Sequence, residues 1–234
     1  MQKITFVVSS FALFAIVSVQ AATIVSTFGP GQSFQSPPGL TIGGGILRGD
    51  PPPQQGVTAA FEFTASATLS LTQIDLAMQY FLLAGRATGA ANLDVSIANN
   101  NLGQPGTPLE TIHLMNALGS VPFTPGIVTA LSSSHPLLQA GTPYWLVVAP
   151  PDLLNTAFDW LISPINPLPT LQASRLGNGP WVTGVTPQPL AFDVIGTTSA
   201  PVPEPSTRPM MLLAALGGLA IWRRTPARMP SWPA

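Results

Sequence analysis

Between residues 57 and 64 the side chains repeat with a period of two. Val57, Ala59, Phe61 and Phe63 share one parity and Thr58, Ala60, Glu62 and Thr64 the other. In an extended strand the first set falls on one face, toward a core, and the second meets water. A helix, repeating every 3.6 residues, cannot gather that set on one side. The same period recurs at Leu69 and Leu71, changes phase at Thr72 and Gln73, and resumes with Ile74, Leu76, Met78 and Tyr80. Such a phase change predicts a bulge or turn. Leu93, Val95 and Ile97 alternate with Asn92, Asp94 and Ser96 as far as Asn99, Asn100 and Asn101. With Gly103, Pro105 and Gly106 that polar run reads as a loop ending the strand. Further strands are predicted over 109–114, 126–131, 143–149, 158–162, 174–176 and 190–195. The one helical competitor is 75–84, where Ile74, Met78 and Leu82 recur at a spacing of four, but Tyr80, Phe81 and the preceding β pattern oppose it.

Many short strands need many turns, and 27 prolines and 21 glycines supply them. Together they stay below the ~25–30% that marks low complexity. The expected fold is therefore all-β, an antiparallel β-sandwich of jelly-roll-like type, flanked by an N-terminal signal peptide and a C-terminal hydrophobic helix.

The flanks announce themselves by hydropathy. Lys3 heads an apolar run over 4–19, and Val19, Gln20 and Ala21 make a small-residue cleavage site. This is the pattern of a secretory signal peptide, with cleavage expected after Ala21. Near the other end Val202, Pro203, Glu204 and Pro205 precede an uncharged stretch over 210–222, which contains Met210, Leu212, Leu213, Leu216, Leu219, Ile221 and Trp222. As a helix it spans about 20 Å against a hydrocarbon core of roughly 30 Å, so a transient hold on the membrane is expected. Trp222 suits the interface, and Arg223 and Arg224 form a basic stop that stays on the cytoplasmic side. Proline motif, apolar segment and double arginine in this order resemble the PEP-CTERM signal of Gram-negative bacteria that make extracellular polysaccharide. The resemblance implies recognition and cleavage by exosortase, a membrane-embedded cysteine transpeptidase. The expected division is a signal peptide at 1–21, an extracellular β-sandwich domain at 22–200 and a sorting and anchor segment at 201–234.

Within the body Arg48, Arg86 and Arg175 stand against eight carboxylates, leaving five net negative charges. Phosphate backbones and anionic lipids are recognised by clustered Lys and Arg, so nucleic acid is not expected as a partner. The chain has no cysteine; although it is expected to be exported, packing rather than disulfides must hold it together.

The body is also similar to the choice-of-anchor family, most nearly its R type. The similarity rests on Phe28-Gly29-Pro30-Gly31 followed by Phe34, on the block from 59 to 80 with Leu71-Thr72-Gln73-Ile74-Asp75-Leu76-Ala77, and on Val95-Ser96-Ile97 leading into 103–110. The run 137–148 with Tyr144-Trp145-Leu146-Val147-Val148 continues it. The similarity implies an extracellular β-sandwich and brings no biochemical activity with it.

Chemistry-bearing residues are sparse. His113, between Ile112 and Leu114, projects to the solvent face of a strand, and His135 follows Ser132, Ser133 and Ser134 in a loop. No Gly-x-Ser-x-Gly turn accompanies these serines, and no closely spaced ligand pair suggests zinc. Glu62, Asp75, Asp94 and Glu110 could hydrolyse glycosides only if two of them met across a cleft. Asp94 with Asn99 to Asn101 offers oxygen ligands for calcium without the spacing of an EF-hand, and the asparagines are expected to cap a hairpin instead. Tyr144, Trp145 and Trp160 look like core residues, whereas Trp181, with Asn178 beside it, is the candidate contact for a glycan ring.

The expected function is that of a non-enzymatic, secreted surface or exopolysaccharide-matrix (biofilm) protein, exported through the inner membrane and processed at its tail. It needs no cofactor and no metal. Its expected partners are exosortase, transiently the inner membrane, and extracellular polysaccharide. A polysaccharide-binding module is the second reading and a glycoside hydrolase or esterase the third.

Overall fold

Alternation becomes pairing in a computed structural model that describes residues 20–43, 56–80, 92–118, 123–151, 157–165, 170–186 and 189–198. The strands are β1 (Gln20–Ser26), β2 (Gln35–Gly43), β3 (Val57–Thr64), β4 (Leu69–Tyr80), β5 (Leu93–Asn101), β6 (Gln104–Leu114) and β7 (Pro125–Leu131). They continue with β8 (Leu137–Leu138), β9 (Pro143–Ala149), β10 (Ala157–Ile162), β11 (Thr170–Leu176), β12 (Val182–Thr186) and β13 (Phe192–Thr198). The body is all-β, as expected, and these strands form one antiparallel sheet in the order β1-β13-β4-β10-β2-β3-β9-β5-β6. β7 and β8 pair with β4, and β11 joins β3 to β12.

The sheet curls on itself. β2 meets β3 through the single pair Gly43↔Val57, and the arms on either side of that joint contribute to one apolar cluster. One arm supplies Leu71, Ile74, Leu76, Met78 and Val194, the other Phe61, Val95, Ile97, Leu146 and Val148. Phe192 sits among the rings, 5.3 Å from Phe61, 6.2 Å from Phe63 and 5.9 Å from Trp160, each edge to face.

The phase change in β4 is a bulge: Ile195 pairs with Gln73 and Gly196 with Leu71, leaving Thr72 over. The helical competitor over 75–84 gives way to strand up to Tyr80, the last described residue there. β2 tolerates its prolines because pairing with β10 is interrupted between Gln35 and Leu40, where Pro37 and Pro38 have no N–H to offer. Gly39 is required in that stretch, since a Cβ would lie 2.8 Å from the Trp160 carbonyl oxygen.

Two expectations are corrected. The run Asn99 to Asn101 is not a loop: β5 extends through Asn101, pairing Asn101 with Gln104 and Asn100 with Pro105. The reversal is the two-residue turn Leu102-Gly103, with φ of 53° and 80°, the left-handed pair of a type I′ hairpin. Leu102 is 98% exposed and so carries backbone strain with nothing buried in return. Leu102→Asn should therefore raise stability by roughly 0.5–1 kcal/mol, visible as a higher urea midpoint at unchanged slope. The second correction is that the other face of β3 meets water only toward its end, at Glu62 and Thr64. Thr58 and Ala60 are buried, Ala60 in a second cluster with Ala98, Trp145 and Ala173.

The region from Val19 to Thr198 forms one compact unit. β1 starts at Gln20, inside the segment expected to be removed, and its pairs from Ala22↔Gly196 to Ser26↔Asp193 involve residues beyond the expected cut. The signal-peptide run, the Pro-Glu-Pro motif, the apolar stretch over 210–222 and Arg223-Arg224 lie outside the described residues. Among the described residues no helix is long and apolar enough to cross a membrane.

Candidate functional site

The densest polar constellation joins β6 to the loop between β7 and β8. Glu110, only 8% exposed, accepts hydrogen bonds from Ser132 Oγ (2.6 Å), Ser133 N (2.7 Å), Ser133 Oγ (3.1 Å) and Ser134 N (2.9 Å). Burial alone would push its carboxyl up. The donors outweigh that, Ser132 Oγ first and then the Ser134 and Ser133 amides, and hold it down at about 2. His135 follows with φ of 49°, and its Nδ1 lies 2.9 Å from the Leu71 carbonyl oxygen.

Serines, a histidine and an acid therefore do come together, but not in relay order. The Ser132 hydroxyl donates to a carboxylate too weakly basic to take its proton, and the histidine's Nδ1 is turned to a backbone carbonyl. What the arrangement does is mechanical: it ties the loop to β6. A group with a depressed folded-state pKa stabilises above its unfolded pKa and loses that contribution as pH falls through the folded value. Stability from Glu110 should thus be present above about pH 4.5 and disappear toward pH 2. Discounted for solvent screening, Glu110→Gln should cost about 1–2 kcal/mol at pH 7 and nothing near pH 2. Urea unfolding of both proteins across that range checks it.

The other acids are dispersed. Asp94 on β5 pairs with His113 on β6, Oδ1 to Nδ1 2.8 Å, with 70% of the His113 side chain exposed, as its strand position predicted. Asn100 Oδ1 accepts from Gly103 N (2.9 Å) and Trp145 Nε1 (3.2 Å). Of the oxygens considered for calcium, Asn100 Oδ1 is thus engaged by the turn and by Trp145, and Asp94 Oδ1 by His113. Glu62 is half-buried on β3 opposite Trp145, and burial pushes its carboxyl up. Asp75 on β4 faces Asp193 on β13 across one strand pair, both under 9% exposed, so they meet within the sheet and not across a cleft.

Trp181 enters β12 half-buried. It packs against the cluster of Ala60, Ala98, Trp145 and Ala173, and the Arg175 guanidinium lies 4.5 Å from its ring centroid. A sugar stacking there would have to displace the guanidinium. Asn178 is exposed in the turn after β11. A shallow groove of about 370 Å³ runs along the same hairpin, lined by Gln172, Ser174, Val182, Thr183, Val185 and Thr186 among others. Sequence reasoning missed the Glu110 tie, the Arg175–Trp181 stack and Asp193.

Residues 201–224 match the family model of the PEP-CTERM protein-sorting motif, spanning Val202, Pro203, Glu204, Pro205, the apolar stretch and both arginines. No curated protein matches the chain. The motif implies exosortase as the processing partner, with export and sorting to the cell surface or beyond.

Proposed function

From that sorting motif we propose that the chain is an exosortase substrate whose body is a non-enzymatic component of the bacterial surface or exopolysaccharide matrix. The signal peptide delivers the chain across the inner membrane, and the apolar stretch over 210–222 holds it there briefly with Arg223 and Arg224 inside. Cleavage in the tail then releases or transfers the body. The single observation carrying this reading is the match at 201–224.

The body's character is compatible with the role. Its serine, histidine and glutamate cluster is spent on holding a loop, and a packed core replaces disulfides. We take the two arms of the curled sheet to stack as a jelly-roll-like sandwich of the choice-of-anchor kind. Mass spectrometry of the protein recovered from its native host tests the processing. A C-terminus upstream of Met210 is expected, and an intact Ala234 on the surface-located protein would overturn the reading.

A further inference from the structure

The outer face of the sheet around β4 carries a row of oxygen-bearing side chains. Antiparallel register sets Ser26 opposite Asp193, Asp193 opposite Asp75 and Asp75 opposite Thr129, so four adjacent strands, β1, β13, β4 and β7, contribute to one line. Residues directly opposite share a face with Cβ atoms about 4.5–5.5 Å apart, and like charges so placed repel. Here the two central members are both carboxylates, at 4% and 8% exposure. Among the described residues no arginine or lysine offsets them, since the one present, Arg175, is stacked on Trp181 beside β12.

The two acids differ in how they are satisfied. Asp75 accepts from Gln73 Nε2 at both oxygens (2.9 and 2.8 Å) and from Thr129 Oγ1 at Oδ1 (2.7 Å). Those bonds occupy three of its roughly four lone-pair positions and fix its orientation. Asp193 Oδ1 is buried and has no hydrogen-bond partner. A buried, unpaired carboxylate oxygen beside a second carboxylate is costly, and a cation held between the two offsets that cost.

We propose that Asp193 and Asp75 bind a hard divalent cation, calcium being the one abundant outside cells. The ion bridges Asp193 Oδ1 and the free lone pair of Asp75 Oδ2, with neutral oxygens of the row and water completing its shell. No three acidic or histidine side chains converge among the described residues, so the site has two charged ligands and belongs to the weak class, with a Kd on the order of 10⁻⁴–10⁻³ M. Such an affinity suits an exported protein and would leave the site empty in cytosol.

The test is thermal unfolding of the purified full chain in EDTA and in a CaCl2 titration to about 10 mM. A saturable rise in Tm of about 3–6 °C is expected. Asp193→Asn keeps the shape and removes one charge. It should unfold at a higher temperature than the wild type in EDTA, since the repulsion is gone, and should lose the calcium response. Asp75→Asn should lose the response as well. A wild-type Tm that is the same in EDTA and calcium would overturn the site without reference to any variant. So would a calcium response that survives undiminished in both variants, because the ion would then sit elsewhere.

Discussion

Phe192→Ala should cost about 3–5 kcal/mol, the largest loss expected from one substitution in the body. Phe192 is fully buried and is the ring on which the two arms of the sheet converge, touching Phe61 and Phe63 from β3 and Trp160 from β10. Truncation removes the transfer free energy of the ring, three edge-to-face contacts and the filling of a space that rigid strands on both sides cannot close. A domain of this size has about 5–15 kcal/mol in total, and this one has no disulfide to fall back on. The variant should lose a large part of its urea resistance, whereas Val182→Ala, at a side chain 69% exposed, should change it by less than about 0.5 kcal/mol. A cost below about 1 kcal/mol at Phe192 would mean that the arms do not share this core.

What could be read from sequence was whatever is written locally. β3 and β9 were legible for different local reasons: in β3 the large apolar side chains Phe61 and Phe63 alternate with smaller or polar ones, and in β9 Tyr144 to Val148 is one short run of aromatic and aliphatic residues bounded by Pro143. β12 was not: Val182 and Val185 are both strongly exposed, and a strand with no buried face has no alternation to detect. β2 was hidden by Pro37, Pro38 and Gly39, which look like a loop and are in fact an interruption within a strand. At the β5–β6 hairpin the asparagines suggested the turn, but the left-handed positions went to Leu102 and Gly103. The choice there is made by cross-strand register, which brings Asn101 opposite Gln104, over local preference. Two-sided burial of β3 was invisible for a related reason, since the residues that cover Ala60 come from β5, β9 and β11.

Sites follow the same division. The tie at Glu110 was not legible because its three serines arrive only when the β7–β8 loop folds back. Asp75 and Asp193 lie far apart in the chain and become neighbours through β13 pairing with β4. The tail is the opposite case, as a processing enzyme reads it as a contiguous peptide, so all of its chemistry is present in order in the sequence. That is why residues 201–224 could be assigned while the body's role rests on proposal.

Glu204→Ala should accordingly produce the largest functional effect: processing reduced by about 10- to 100-fold, with a heavier, membrane-associated form accumulating. Glu204 is the one charge between Asp193 and Arg208, flanked by Pro203 and Pro205, neither of which has a backbone N–H to compete for the carboxylate. An enzyme that selects this peptide in a membrane has one carboxylate to recognise. A hydrogen bond to a charged group is worth roughly 1.5–3 kcal/mol, which translates into that range of kcat/KM. Arg223→Ala with Arg224→Ala should act differently, through the membrane hold: with the basic stop weakened the apolar stretch can slip outward, and unprocessed chain should appear in the medium. Immunoblots of membrane and medium fractions, with intact mass on each band, separate the two outcomes. If the Glu204 variant is cut and released like the wild type, recognition does not pass through the Pro-Glu-Pro carboxylate. If it is held in the membrane uncut, the carboxylate is what the enzyme requires and the arginines only keep the peptide within its reach.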